Sequence, residues 1–285
     1  MTRSPCSLGV LLFTFLLAAA SMASAQVPME GFVELPGVRL WVKDTGGTGE
    51  PLLLLHAGSG QIAAWDAQIP AFAKAGYRVI AYDRRGWGKS VTDPATGPQP
   101  GAASDDLQAL VDRLQLPRFH LVGIAAGGLV AIDYAAQHPE RLRSLVLSAT
   151  IGGIPETAAM TARIQQPGFA ALPGEFRELS VAYRAANPEG TTRWAAIEHE
   201  SAQQPRLTQP MRSPQNEATI ATIKTPTLVI GGGADLLAPP ALVKLWSDYL
   251  PNRKGFEILP NAGHAVAWEQ PEAYNRLVLA FVSKY

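Results

Sequence analysis

Phe119-His120-Leu121-Val122-Gly123-Ile124 runs straight into Ala125-Ala126-Gly127, and that junction decides the fold. The first six residues read as a buried strand, with His120 near its start. The chain then continues as a helix through Gln137. Between the two, the Gly123-Ile124-Ala125-Ala126-Gly127 turn is the kind of sharp strand-to-helix bend that presents a nucleophilic hydroxyl. Here its central residue is alanine. A methyl group cannot attack a carbonyl, lose a proton or form an acyl intermediate.

Working outward, the same alternation repeats. Pro51-Leu52-Leu53-Leu54-Leu55 and Arg78-Val79-Ile80-Ala81-Tyr82-Asp83 are continuous apolar runs of the kind that parallel strands covered on both faces require. Leu142–Leu147, Thr227–Ile230 and Gly255–Leu259 are further strands, and Gly31–Val42 reads as a hairpin around Pro36-Gly37. Helices are predicted over Ile62–Ala75, Ser104–Leu116 (with Ser104 as cap), Ala241–Leu250 and Pro271–Lys284. Strands alternating with helices predict an α/β fold, a mostly parallel sheet covered by helices on both faces. Residues 152–222 lack a strong strand run and hold helix-like pieces at Pro173–Ala185 and Thr191–Ser201. That stretch is too long for a plain loop and is predicted to be an inserted helical lid. The core is then 26–151 with 223–285.

Four motifs in order carry a resemblance. They are His56-Ala57-Gly58-Ser59-Gly60, the Gly76–Ser90 stretch with Trp87, Gly233-Ala234-Asp235 ahead of Pro239 and Pro240, and Asn261-Ala262-Gly263-His264 ahead of Glu269 and Pro271. Together with the alanine turn they resemble the α/β-hydrolase superfamily over nearly all of the chain after residue 25. The family's order of nucleophile, acid and histidine implies positions Ala125, Asp235 and His264. The resemblance also implies an oxyanion hole from the backbone N–H groups of Gly58 and Ala126, with Ala57 standing where glycine is usual. Asp235 also suits a turn or helix cap, and His264 a surface loop, but motif order favours the catalytic positions. His56 is expected to order the oxyanion loop. Ser59, Trp65 and Trp87 are weaker candidates for the substrate pocket, Trp65 being equally suited to the core.

The chain has 285 residues, 47% hydrophobic and 17% charged, with zero formal net charge. No long-range field recruits nucleic acid, and no basic run interleaved with aromatics is present. Arg3, the apolar run Leu8–Ala20 and Ala23-Ser24-Ala25 read as a secretory signal peptide over 1–25, with the mature chain starting at Gln26. The run is shorter than the roughly 20 residues of a spanning helix. The expected location is periplasmic or secreted, without stable membrane association. Cys6 is the only cysteine, and no His/Cys ligand spacing predicts a metal or other cofactor.

The functional expectation is hydrolase-type acid/base chemistry on a small, mainly apolar ester, lactone or other carbonyl compound. His264 and Asp235 would act without a serine nucleophile. Three alternatives stand beside it: a silent ligand-binding pseudoenzyme, an inactivated Ser-to-Ala form of a serine esterase or lactonase, and a nucleophile displaced to Ser59. The sequence leaves the oligomeric state open.

Overall fold

All of Leu52, Leu53, Leu54 and Leu55 are fully buried, and they divide by parity between two cores. Leu53 and Leu55 pack on one face of the sheet and Leu52 and Leu54 on the other. Side chains that alternate across a strand require this split when helices cover both faces. The computed structural model describes residue 1, residues 26–205 and residues 207–285. The expected signal peptide, Met1 apart, lies outside the described residues.

The strands are β1 (Met29–Leu35), β2 (Val38–Asp44), β3 (Pro51–Leu55), β4 (Arg78–Tyr82), β5 (Val91–Thr92), β6 (Phe119–Ile124), β7 (Leu142–Ser148), β8 (Thr227–Gly232) and β9 (Arg253–Leu259). They form one sheet in the order β1-β2-β4-β3-β6-β7-β8-β9, with β5 beside β2. From β4 to β9 every pairing is parallel. The β1–β2 hairpin turns at Pro36-Gly37 and joins β4 antiparallel. The helices are α1 (Gln68–Lys74), α2 (Ala103–Arg113), α3 (Ala126–Gln137), α4 (Pro155–Ile164), α5 (Gly174–Glu178), α6 (Val181–Ala186), α7 (Pro188–Ser201), α8 (Glu217–Ala221), α9 (Pro240–Ser247), α10 (Val266–Glu269) and α11 (Pro271–Val282). The core packed by α2, α3, α8 and α9 lies on one face, and that packed by α1 and α11 on the other. Helices α4 to α8 occupy the segment between β7 and β8.

Three helix expectations need correction. The run 62–75 is a short 3-10 turn, Ile62–Trp65, followed by α1. In one continuous helix the Pro70 ring would strike the Asp66 carbonyl, whereas a proline in the first turn of α1 is tolerated. Ser104 is not the cap of α2. The cap is Ala102, and the Ser104 hydroxyl donates to the buried Asp133 carboxylate at 2.7 Å. Asp133 is wholly buried on α3, and it also accepts the amides of Arg212 and Ser213. The piece expected at Pro173–Ala185 is broken into α5 and α6, because Ser180 caps α6 by accepting the Tyr183 N–H. Among the described residues no helix is long and apolar enough to cross a membrane.

Candidate active site

Gly123 and Gly127 bring three segments together at the end of β6. A Cβ on Gly123 would stand 2.6 Å from the Gly127 carbonyl oxygen, and one on Gly127 would stand 2.6 Å from that of His56. Between them Ala125 adopts φ 50° and ψ −114°, a conformation that strains any residue with a Cβ. Its N–H donates to Ser148 of β7, and its carbonyl accepts the first amides of α3.

Asp235 follows β8, His264 follows β9 and Gly58 follows β3, so all converge at the carboxyl ends of parallel strands, where open α/β sheets place their sites. His264 Nδ1 lies 2.9 Å from Asp235 Oδ2. The other oxygen, Oδ1, accepts the amides of Leu237 and Ala238, each at 2.8 Å. Asp235 therefore caps its turn and orients the imidazole at once. The two loops are joined directly, the Ala234 amide donating to the Ala262 carbonyl. Among the described residues, His264 Nε2 and the amides of Gly58 and Ala126 have no protein hydrogen-bond partner.

Burial opposes charge on His264, but Asp235, by charge and hydrogen bond, together with Glu178 and Glu269 outweighs it and pushes His264 up to about 9. Glu269 itself is raised by burial, despite the amides of Ser180 and Gly263 that donate to it. His56 is the opposite case. Burial first, and the nearby Arg84 charge second, hold it well below the usual histidine range. It accepts the Arg84 amide on Nε2, so Nδ1 carries the proton donated to the Ala57 carbonyl.

Among the described residues, His264 borders three sizeable or enclosed cavities. One of about 410 Å³ is lined by Gly58, Ser59, Ala125, Ala126 and Glu178 together with polar residues of the insertion. A second, of about 270 Å³, shares Ala125 and Ala126 and is otherwise mainly apolar, with Leu129, Ala149, Ile151 and Leu237. The third, of about 40 Å³, is walled by Trp65, Trp194 and Trp268. Trp65 thus lies in a cavity wall. Trp87 borders none of these three cavities. Its indole N–H donates to the Gly58 carbonyl at 2.7 Å, and the Arg84 guanidinium stacks on its ring. Trp87 therefore fixes the Gly58 peptide. Ala57 is absent from the residues with positive φ, so its methyl is accommodated there.

The chain's match to the alpha/beta hydrolase fold family spans residues 50–192. The chain belongs to the α/β-hydrolase family. It is 30% identical to a 2-hydroxy-6-oxononadienedioate/2-hydroxy-6-oxononatrienedioate hydrolase of Paraburkholderia phymatum, over 90% of this chain and 94% of that protein. Among solved structures it resembles an N-acyl homoserine lactone degrading enzyme, with 26% identity and a TM-score of 0.71 over 88% of this chain and 99% of that one. It also resembles a serine-to-alanine mutant of a meta-cleavage product hydrolase from Pseudomonas fluorescens, crystallised with acetates. That likeness has 25% identity and a TM-score of 0.69, covering 89% of this chain and 97% of the other. Its homologues are thus hydrolases of small compounds.

In this α/β hydrolase, sequence reasoning missed Glu178, the last residue of α5. Its carboxylate accepts the Ser59 hydroxyl at 2.6 Å, and its carbonyl accepts the His264 amide at 2.7 Å. The Ser59 proton is directed to Glu178 and not to His264. No local pattern marks Glu178, because its partners lie on the far side of the insertion. The exchange of acceptor and donor around Gly263, with Glu178, Ser180 and Glu269, is equally nonlocal.

Proposed function

We propose that this protein hydrolyses small, mainly apolar esters, lactones or related carbonyl compounds by activating water, without an acyl-enzyme. The 2.9 Å contact between His264 and Asp235, facing a turn whose central residue is Ala125, carries the reading. His264 accepts a proton from water as the water oxygen adds to the carbonyl carbon. Asp235 stabilises the imidazolium, and the Gly58 and Ala126 amides receive the developing oxyanion. His264 then returns the proton to the departing oxygen. Serine proteases stripped of triad members keep roughly 10³–10⁴-fold catalysis over water, so a reactive carbonyl suits this arrangement best. The oxo-diacid and lactone named for the relatives are both such carbonyl compounds.

The apolar cavity beside Leu129 and Leu237 suits the hydrocarbon part of the substrate, and the 152–222 insertion serves as its lid. The 1–25 segment acts as a removable export signal, so the amino terminus of the mature protein would be Gln26.

Purified protein assayed on short p-nitrophenyl esters and a lactone panel should outpace His264→Ala by about 10²–10⁴-fold, the usual worth of a positioned general base. Since His264 must lose its proton to act, the rate should climb with pH toward about 9. Wild type and His264→Ala equally inert across the panel would leave a binding protein as the surviving account. Ala125→Ser should add a burst of p-nitrophenol and an acyl adduct visible by mass spectrometry.

A further inference from the structure

We infer that the smallest cavity is the seat of the attacking water, and that Glu178 and Trp65 hold the water there against His264. The inference rests on the water-activating reading above. The cavity, of about 40 Å³, is bordered by Trp65, Ser59, Glu178 and His264. A water molecule needs roughly 10–15 Å³ and two to four polar partners. Three unmatched groups supply them. Trp65 is 1% exposed, and its indole N–H has no protein acceptor among the described residues. One Glu178 oxygen accepts from Ser59, while Oε1 has no protein partner among the described residues. His264 Nε2 is the third. A buried donor without an acceptor keeps its full desolvation penalty, which a water in this cavity relieves.

The stereochemistry of water matches this set. The oxygen accepts from Trp65 and donates one hydrogen to Glu178 Oε1 and the other to His264 Nε2. Its remaining lone pair is then free to attack. Ser59, Glu178 and His264 also border the larger cavity that holds the Gly58 and Ala126 amides, so the water stands at the edge of the substrate chamber. In the step, the water oxygen bonds to the carbonyl carbon, its proton passes to His264, and the carbonyl π pair moves onto the oxygen held by the amides. On collapse the bond to the leaving group breaks and His264 protonates that group. Ser59 is a positioning residue, fixing the Glu178 carboxylate. Ala125 has no hydroxyl with which to hold the water, and Glu178 takes that part.

Crystals of the full protein at atomic resolution, with Glu178→Gln and Trp65→Phe beside wild type, test the site without any need for turnover. Wild type should show an ordered water within hydrogen-bond distance of Trp65 Nε1, Glu178 and His264, and Trp65→Phe should lose or displace it. In solution, Glu178→Gln should lower kcat about tenfold or more with little change in KM. It should also raise the share of methyl ester formed when methanol competes with water, a ratio that a merely structural role would not move. A dry wild-type cavity in an active enzyme overturns this inference and leaves the hydrolase reading intact. An ordered water in a protein inert toward the whole panel overturns both. Unchanged kcat and methanol partition in both variants overturn the assignment of Glu178 and Trp65.

Discussion

Ala125 holds a conformation that glycine adopts freely, at φ 50° and ψ −114°. Such a position costs a residue with a Cβ about 1–3 kcal/mol, while glycine costs about 0.4–1 kcal/mol through its looser unfolded chain. Ala125→Gly should therefore raise the unfolding free energy by about 1 kcal/mol in urea titration. A loss of stability would mean the turn is not strained. The strained Ala125 backbone also sets the direction of the Ala126 amide that follows it. The alanine turn is legible in the sequence, because a sharp turn flanked by glycines admits few interpretations. Asp235 stands in a short turn after the buried strand β8, whereas β9, which leads to His264, is buried only at Leu259, so for the histidine the order of the motifs was the signal.

Elements differ in how openly their sequences declare them. The inner strands β3, β4, β6, β7 and β8 are buried throughout or nearly so, and burial on both faces forces an unbroken apolar run. The insertion gave only its general helical character. Its breaks depend on contacts with the rest of the fold, as at Leu179-Ser180, where the Ser180 amide reaches Glu269 at 3.2 Å. Gly263 lies at the same junction. A Cβ there would stand 2.5 Å from the Glu178 carbonyl oxygen and 2.6 Å from the Ser180 nitrogen. Gly263→Ala should destabilise by about 1–3 kcal/mol, the usual cost of overpacking, and should depress activity further by shifting the neighbouring His264. Gly31→Ala is the control, since nothing lies within 4 Å of its added Cβ. Its unfolding free energy should change little, by about 0.5 kcal/mol at most. Equal effects of the two substitutions would remove the junction from the account.

Across the whole molecule, buried histidines of opposite character set the pH dependence of stability. The pKa of His264 is raised by folding, so its contribution is complete below about 6.5 and is lost as pH rises through about 9. Those of His56 and His120 are lowered, chiefly by burial, so folding disfavours their protonation. Their contribution is complete above about 6.5 and falls away on the acid side. Calorimetric Tm should therefore peak near neutral pH, and His264→Gln should flatten the alkaline limb alone. An unchanged alkaline limb in that variant would separate the Asp235 contact from global stability.

The hydrogen bond from the His264 amide to the Glu178 carbonyl joins the imidazole's own backbone to the insertion. Groups tied in this way open together. In hydrogen–deuterium exchange, the amides of Ser180 and His264 should share one protection factor despite their distance in sequence, and both should weaken together in Gly263→Ala. Unrelated exchange rates would mean that the two segments breathe separately. With shared opening, any excursion of the insertion at Glu178 also frees the backbone of His264, so the loop that carries the histidine can be no more rigid than the segment packed over it.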